Sequence, residues 1–498
     1  MTVINTLREM RDQKGKVETT GLADDIIERF AAKDKLLVQA IEEAAEAWKR
    51  LREEFPQLAD IDEMDQVHAI QKDYVNFYPD DAVNPYVPLA ARGPWVVTSK
   101  GNVLHDSGGY GMLGLGHGPA KVLEAMNRPH VMANIMTASF SQLRFADQIK
   151  KEIGQQRDGC PYAKFLCMNS GSEAVTVAAR ISDVNAKLMT DPDGKYAGKT
   201  IKKVALSGAF HGRTDRPAQY SHSTKKTYTQ HLASYRGKDD LLTVIPNDVE
   251  DLKRVFKEAE DNGIFIETMF MEPVMGEGDP GLGVTPEFYA AARELTKQHG
   301  ALLLIDAIQA GLRTTGYLSI IDYPGFEKLE APDMETYSKA LNAGQYPLSV
   351  LAMNERAAEL YRKGIYGNTM TANPRALDVG YAMLSSITPE MRENIRAKGE
   401  EFIEKFRKLA DELDGQITKV QGTGLLFSCE LSKEFKCFGE DSTEEYMRKK
   451  GIGVIHGGAN SLRFTPHFNI TSEEVDLIVA ATKEAILNGP RHKEHAAA

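Results

Sequence analysis

Four short segments carry the side chains best suited to chemistry. The first, Met168-Asn169-Ser170-Gly171-Ser172-Glu173-Ala174, is a small polar turn between an apolar run and a helical one. Glycine lets a ligand approach the backbone, and the free N–H groups at the positive end of a helix favour a phosphate. Capping of the helix by Ser172 is the competing use. The second is an apolar strand over residues 301–305 that ends in Asp306, followed by Ala307-Ile308-Gln309-Ala310-Gly311. A carboxylate at the end of a buried strand needs a partner, because an isolated charge in a low-dielectric interior is costly. A cationic ring nitrogen meets that need, and so does an ordinary turn or N-cap. The third sets Lys339 among small and apolar residues in Thr336-Tyr337-Ser338-Lys339-Ala340-Leu341-Asn342-Ala343-Gly344. An ammonium stripped of water gives up its proton more readily and becomes a usable amine for a Schiff base, whereas most lysines simply sit on the surface. The fourth, Ala209-Phe210-His211-Gly212, offers a flat aromatic and a flexible turn, suited to stacking on a ring or to core packing.

Each segment alone is weak. Together they make a phosphate cradle, an acid for a pyridine nitrogen, a lysine for an aldehyde and an aromatic for a ring face, which is the set that pyridoxal 5′-phosphate requires.

The surrounding pattern says how such residues would be positioned. Apolar runs at 164–168, 203–206, 265–271 and 301–305 alternate with helical patterns at 173–189, 249–259 and 286–299. That alternation predicts an α/β fold, a mostly parallel sheet covered by helices, and such sheets bind ligands at their strand ends. Beyond about 375 the pattern changes to a long charged amphipathic helix at 389–413, short strands around 424–431 and 461–465, and a closing helix at 472–487, which reads as a smaller α+β domain. Near the start, Leu37, Ile41, Ala44, Trp48 and Leu51 recur at helical spacing and form one apolar stripe. The stripe is too short for a sustained coiled coil, so a docked amphipathic helix is the expectation. The expected organisation is a helical N-terminal extension (1–90), an approach segment of the small domain (91–120), a large cofactor-binding domain (121–375), a C-terminal small domain (376–495) and a vector remnant (496–498).

Composition bounds the rest. The chain has 498 residues, 42% of them apolar and 26% charged, with a net charge of −11, so it has no global basic field for nucleic acid or an anionic membrane. The expectation is a cytoplasmic protein with small-molecule partners, since no leader pattern and no apolar run of about 20 residues is present. Cys160, Cys167, Cys429 and Cys437 are too sparse for a disulfide framework or zinc site and read as free thiols. No metal site is expected.

Six motifs occur in one order: Ser170-Gly171-Ser172-Glu173-Ala174, Phe210-His211-Gly212, Glu272-Pro273-Val274-Met275-Gly276-Glu277-Gly278, Asp306 through Gly316, Lys339, and Gly367-Asn368-Thr369-Met370-Thr371-Ala372-Asn373-Pro374. Over about residues 85–490 this ordered set resembles the class III aminotransferases, the family of ornithine, 4-aminobutyrate and lysine ε-aminotransferases. The resemblance implies the type I pyridoxal-phosphate-dependent transferase fold. It implies that Lys339 holds the cofactor as a Schiff base and shuttles a proton, and that Asp306 keeps the pyridine nitrogen protonated. Gln309 matches a residue near the cofactor's phenolic oxygen. Ser170, Gly171 and Ser172 match the phosphate cradle, Phe210 takes the place of the stacking aromatic with His211 beside it, and Thr369 matches a threonine that reaches the phosphate from the partner subunit. A site shared in this way implies a homodimer, or a larger assembly built from it.

For substrate, Arg463 matches a carboxylate-binding arginine, Glu277 a glutamate that covers it in several members, and Tyr110 a pocket-lining tyrosine. The implied reaction moves an amino group from a terminal amine or ω-amino acid to an oxoacid such as 2-oxoglutarate or pyruvate by a ping-pong mechanism. An aminomutase, decarboxylase or racemase of the same fold is the alternative, and a non-catalytic dimeric scaffold a more distant one. Departures from the family pattern are Ala307 where an acid is usual, Arg313 displaced by one place, and Phe210 in place of a tyrosine often found there.

Overall fold

The computed structural model describes residues 2–76, 78–79, 82–132 and 136–492, so the closing alanines lie outside the described residues. The chain divides into two compact units, one of Met1–Pro119, Ala397–Gln421 and Phe427–Ala498, the other of Ala120–Arg396 and Gly422–Leu426.

The second unit is built on a seven-stranded sheet of β1 (Lys164–Met168), β2 (Thr200–Leu206), β3 (Leu241–Val244), β4 (Ile264–Met271), β5 (Leu302–Asp306), β6 (Met334–Tyr337) and β7 (Ser349–Met353), in the order β1-β7-β6-β5-β4-β2-β3. Neighbours β3, β2, β4, β5 and β6 pair in parallel, while β7 runs antiparallel to both β6 and β1. The central strands are buried along nearly their whole length, as a sheet covered on both faces requires. The helix Gly171–Thr190 lays Ala174, Val177, Ala178 and Ile181 against Phe270, Leu304 and Leu351 of the strands. The helices Val249–Asp261 and Pro286–Gln298 each begin at a side-chain cap, Asp248 and Thr285, and end within two residues of the spacing-based expectation.

In the first unit, the helix Lys35–Glu54 buries Leu37, Ala40, Ile41 and Ala44 completely and is docked, as its stripe implied. Its N-cap Asp34 accepts a 2.6 Å hydrogen bond from Trp95 Nε1, and Glu43 takes both ends of the Arg92 guanidinium at 2.8 Å. A four-stranded sheet there joins Pro88–Arg92, Trp95–Thr98, Val103–Asp106 and Ile452–Gly453, and a second joins Ile417–Thr423, Leu426–Leu431, Ser461–Phe464 and Ile455–Gly457. Cys429 and Cys437 are buried free thiols, and Cys160 and Cys167 in the other unit are also free. No helix among the described residues is long and apolar enough to cross a membrane.

The closing helix Ser472–Asn488 is anchored by Glu474. Its Oε1 receives His105 Nε2 at 2.9 Å and His467 Nε2 at 2.8 Å, and its Oε2 receives Thr471 N at 2.8 Å. Burial opposes the charge, but the two imidazoles overcome that and hold the carboxyl far below its ordinary range. A carboxyl depressed in the folded state adds stability above its unfolded pKa, and that stability is lost as pH falls through the folded value. Glu474→Gln is therefore expected to cost about 1–3 kcal/mol at neutral pH. The gap in melting temperature to the parent should shrink steadily below about pH 4. A gap independent of pH would show that Glu474 acts by shape alone.

Candidate active site

In the second unit the carboxyl ends of the parallel strands share one edge, and the segments singled out in the sequence leave the sheet there. Asp306 closes β5 and is 5% exposed, so its charge must be met by partners. Its Oδ2 accepts His211 Nδ1–H at 2.8 Å, and its Oδ1 accepts Ile308 N at 3.2 Å and the Thr336 hydroxyl at 3.3 Å. His211 is buried with the Phe270 ring edge-on at 5.6 Å, and its Nε2 has no hydrogen-bond partner among the described residues.

The turn after β1 is set by a capping box. Ser170 Oγ accepts Glu173 N, while Glu173 Oε2 accepts Ser170 N at 3.0 Å and Asn169 N at 2.8 Å. The cap is Ser170, not Ser172. The first N–H groups of a helix lack intrahelical partners, and such a terminus suits an anion.

Three glycines record how tightly the turns crowd together. A Cβ on Gly171 would lie 2.7 Å from Ile308 Cδ1, one on Gly212 2.6 Å from Ser172 Oγ, and one on Gly276 1.9 Å from Gln309 Oε1. The loops after β1, β2, β4 and β5 therefore converge on one place. Gln309 is buried there, and its Nε2 has no protein partner among the described residues. A buried donor without a partner costs about 1–3 kcal/mol, which an external acceptor such as a phenolic oxygen removes. A helix N-terminus, an orphan amide donor and a buried carboxylate on one sheet edge fit pyridoxal 5′-phosphate.

Lys339 lies two residues beyond β6, whose Thr336 is paired with Asp306 across the parallel register. It opens the short turn Lys339–Asn342 with a left-handed φ of +43°, and it is half-buried. Phe210 is half-buried, with Arg213 Cζ 5.3 Å from its ring centroid, and Arg213 Nη2 lies 4.0 Å from Glu277 Oε1. Thr369 is exposed, beside Asn368, whose Nδ2 donates to Glu173 Oε1 at 2.7 Å.

Two residues here were not picked out as site residues from the sequence, although both lie within quoted motifs or next to one. One is Arg213, directly after Phe210-His211-Gly212. The other is Glu272, which is buried and accepts Phe210 N at 3.0 Å and Gly276 N at 2.8 Å, tying the turn of Phe210 to that of Glu277. Burial pushes the Glu272 carboxyl up to about 7, with His211 opposing the shift and Asp306 adding to it. The displaced Arg313 is fully buried and donates Nη1 to Leu425 O at 3.2 Å.

In the first unit, Arg463 lies on Ser461–Phe464, flanked by Ser428 and Ile455 of the neighbouring strands, and is 4% exposed. Its Cζ is 5.8 Å from the Tyr110 ring centroid. The Tyr110 loop is tied to the same strand's continuation, since Thr465 Oγ1 accepts Gly111 N at 3.2 Å and Thr465 N donates to Ser107 O at 2.7 Å. Tyr110 itself has a left-handed φ of +54°.

The family described as Aminotransferase class-III matches residues 77–486. A succinylornithine transaminase from Citrobacter koseri is 29% identical over 402 residues, covering 80% of this chain and 91% of its own. An acetylornithine aminotransferase from Neisseria meningitidis serogroup B is 28% identical over 403 residues, with 80% and 93% covered. Among solved structures, the ornithine aminotransferase of Toxoplasma gondii ME49 superposes with a TM-score of 0.72 at 23% identity, covering 88% of this chain and 98% of that one. The acetylornithine aminotransferase of Elizabethkingia anophelis gives a TM-score of 0.68 at 24% identity, with 85% and 99% covered. The two structures establish the type I fold, with its large mostly parallel sheet. The family match spans most of the sequence and takes in both units, so the chain belongs to the class III aminotransferases, enzymes that transfer amino groups with pyridoxal 5′-phosphate.

Proposed function

We propose that this aminotransferase takes its amino group from a terminal amine or ω-amino acid and delivers it to a dicarboxylic or simple oxoacid in two successive half-reactions. The observation that carries the reading is Arg463, a buried guanidinium set against Tyr110. A planar fork in that setting suits the bidentate capture of a carboxylate. Glu277, with Arg213 at 4.0 Å, supplies a second charged pair for a donor whose carboxylate and reacting amine are far apart. The names of the relatives point the same way, since succinylornithine and acetylornithine carry one free terminal amine.

When bound, pyridoxal 5′-phosphate supplies an aldehyde for the amine and a cationic ring that accepts electron density from the substrate carbon. The chain's own residues do the rest. Lys339 Nζ moves the proton between the substrate carbon and the C4′ position. Asp306, oriented by His211, holds a proton on the ring nitrogen. The N-terminus of Gly171–Thr190 with Ser172 binds the phosphate, Gln309 donates to the phenolic oxygen, and Phe210 packs on the ring face. Exposed Thr369 serves the phosphate in a partner subunit's site, and the exposed Met136, Phe140 and Met370 give this unit apolar surface for a second copy to cover.

A panel of terminal amines, ω-amino acids and α-amino acids tested against 2-oxoglutarate and pyruvate, with the cofactor spectrum as readout, checks the reading. Conversion by α-amino acids alone would overturn it. Arg463→Lys is expected to raise KM for 2-oxoglutarate about 10- to 100-fold, since a point charge replaces a bidentate fork. The amine half-reaction should stay within about threefold, because uniform binding of the acceptor is what is lost. Equal losses in both half-reactions would remove Arg463 from the acceptor site.

A further inference from the structure

Outside the residues given a part in the reaction, the first unit brings His105, His467 and Glu474 together. His105 comes from the strand Val103–Asp106, His467 from the stretch that follows Ser461–Phe464, and Glu474 from the first turn of the closing helix. One ligand atom from each lies within 4.8 Å of the other two. Both imidazoles present Nε2 to the same oxygen, Glu474 Oε1, at 2.9 Å and 2.8 Å. A metal site was not expected from the sequence, because His105 stands 369 positions from Glu474 and only the fold joins them.

The outer edges of these groups are tied as a metal site requires. Glu474 Oε2 accepts the Thr471 N–H and the Thr471 hydroxyl, each at 2.8 Å, which leaves Oε1 facing the two rings. His105 is fully buried, with Nδ1 3.4 Å from Ser107 Oγ and its ring nearly perpendicular to that of Trp95. Partners of this kind orient ligands and decide which ring nitrogen is left for an ion. A buried carboxylate usually recruits arginine. Glu474 instead has only the two histidines and Thr471 as partners among the described residues, while Lys33 pairs with the neighbouring Glu473. No fixed cation therefore occupies the place of an ion. The His467 side chain is 12% exposed, against 0% for His105 and 6% for Glu474, so an ion enters from its side.

Two imidazole nitrogens and one carboxylate oxygen make a known three-ligand set for zinc, with water in the fourth position. Magnesium and calcium favour oxygen ligands throughout, and softer ions favour sulfur. Bonds of about 2.0–2.1 Å put tetrahedral ligands about 3.3 Å apart, so the two N–H···O contacts need to open by only about half an ångström. In the metal-free protein the imidazole N–H groups hold the carboxylate; with an ion bound, each neutral ring keeps its proton on Nδ1. We propose that His105, His467 and Glu474 form a zinc site that staples the closing helix to the rest of its unit. His105 precedes Ser107 by two residues and His467 follows Thr465 by two, and Thr465 N already donates to Ser107 O at 2.7 Å. The ion adds a second tie between the same two segments.

Holoenzyme dialysed against EDTA and then titrated with Zn²⁺ in a calorimeter is expected to bind about one ion per chain, with Kd about micromolar or tighter. It should also melt a few degrees higher and keep its cofactor spectrum, since the ion sits apart from the cofactor. Co²⁺ in place of Zn²⁺ should show the visible d–d band of a four-coordinate ion. His467→Gln keeps an amide N–H for Glu474 Oε1 but has no ring nitrogen to ligate, and its position is the most exposed of the three. That variant should melt near the metal-free parent while its Zn²⁺ affinity falls about 100-fold or more. His105→Gln should lose affinity equally. A Kd above about 1 mM in the parent would overturn the proposal. So would binding that His467→Gln leaves unchanged, a six-coordinate Co²⁺ spectrum, or a response confined to the cofactor band, each of which puts the ion somewhere else.

Discussion

Lys339→Ala is expected to abolish the cofactor's absorbance band near the visible edge and to lower transamination by about three orders of magnitude or more, the loss of a nucleophile and a proton carrier together. Alanine isolates the amine. It retains the Cβ at a position with φ of +43°, where a non-glycine residue costs about 1–3 kcal/mol, so backbone strain is the same in both proteins. The flanking turn has ties of its own. Ser338 Oγ donates to Leu348 O at 2.8 Å, and Leu341 and Ala343 close the turn through their own backbone bonds. The variant should therefore melt within a few degrees of the parent while its spectrum and rate collapse. Partial recovery by added methylamine would identify the missing group as an amine. A Lys339→Ala protein that keeps both the band and measurable turnover would mean that another residue binds the aldehyde.

Asp306→Asn is expected to lower the rate of the amine half-reaction by about 10²- to 10⁴-fold, since electrostatic stabilisation of a developing charge is a large catalytic contribution. The substitution removes charge and leaves shape. The amide oxygen can still accept His211 Nδ1–H, which lies 2.8 Å from Oδ2, at the cost of the weaker 3.2 Å bond from Ile308 N to Oδ1. If positioning were the whole role of Asp306, the variant would retain most of its activity, and a rate within threefold of the parent would settle the matter that way. If charge is the role, the rate falls and the absorbance maximum moves, because the ring nitrogen is no longer held protonated. His211→Asn, which loosens the carboxylate without removing it, should give an intermediate loss and leave the maximum closer to that of the parent.

Much of the site was legible in the linear order of residues. A run such as Ala301 to Ile305, followed by a turn, reads as a buried strand, and the observed strand, Leu302–Asp306, starts one residue later and takes in Asp306 itself. The turn Asn169-Ser170-Gly171 announces a helix start, and Glu173 three residues after Ser170 completes the capping box that places it. These features depend on side chains a few residues apart, and near-neighbour chemistry survives in any tertiary setting. The strands Leu241–Val244, Met334–Tyr337 and Ser349–Met353 were not expected. They are short, and Met334–Tyr337 and Ser349–Met353 are buried throughout, so neither alternation nor length marks them off from loops.

What the sequence determined by itself is therefore the inventory: a parallel sheet with helices, the strand-end carboxylate, the capped helix start after β1, the lysine and the family they spell. Only the tertiary structure decided the partnerships. His211 meets Asp306 across 95 positions, Glu272 holds Phe210 N across 62, and Tyr78 joins Tyr110 across 32. Such pairs follow from strand register and loop convergence, which sum many weak packing contacts over the whole chain, whereas caps, turns and amphipathic faces are settled within one or two helical turns.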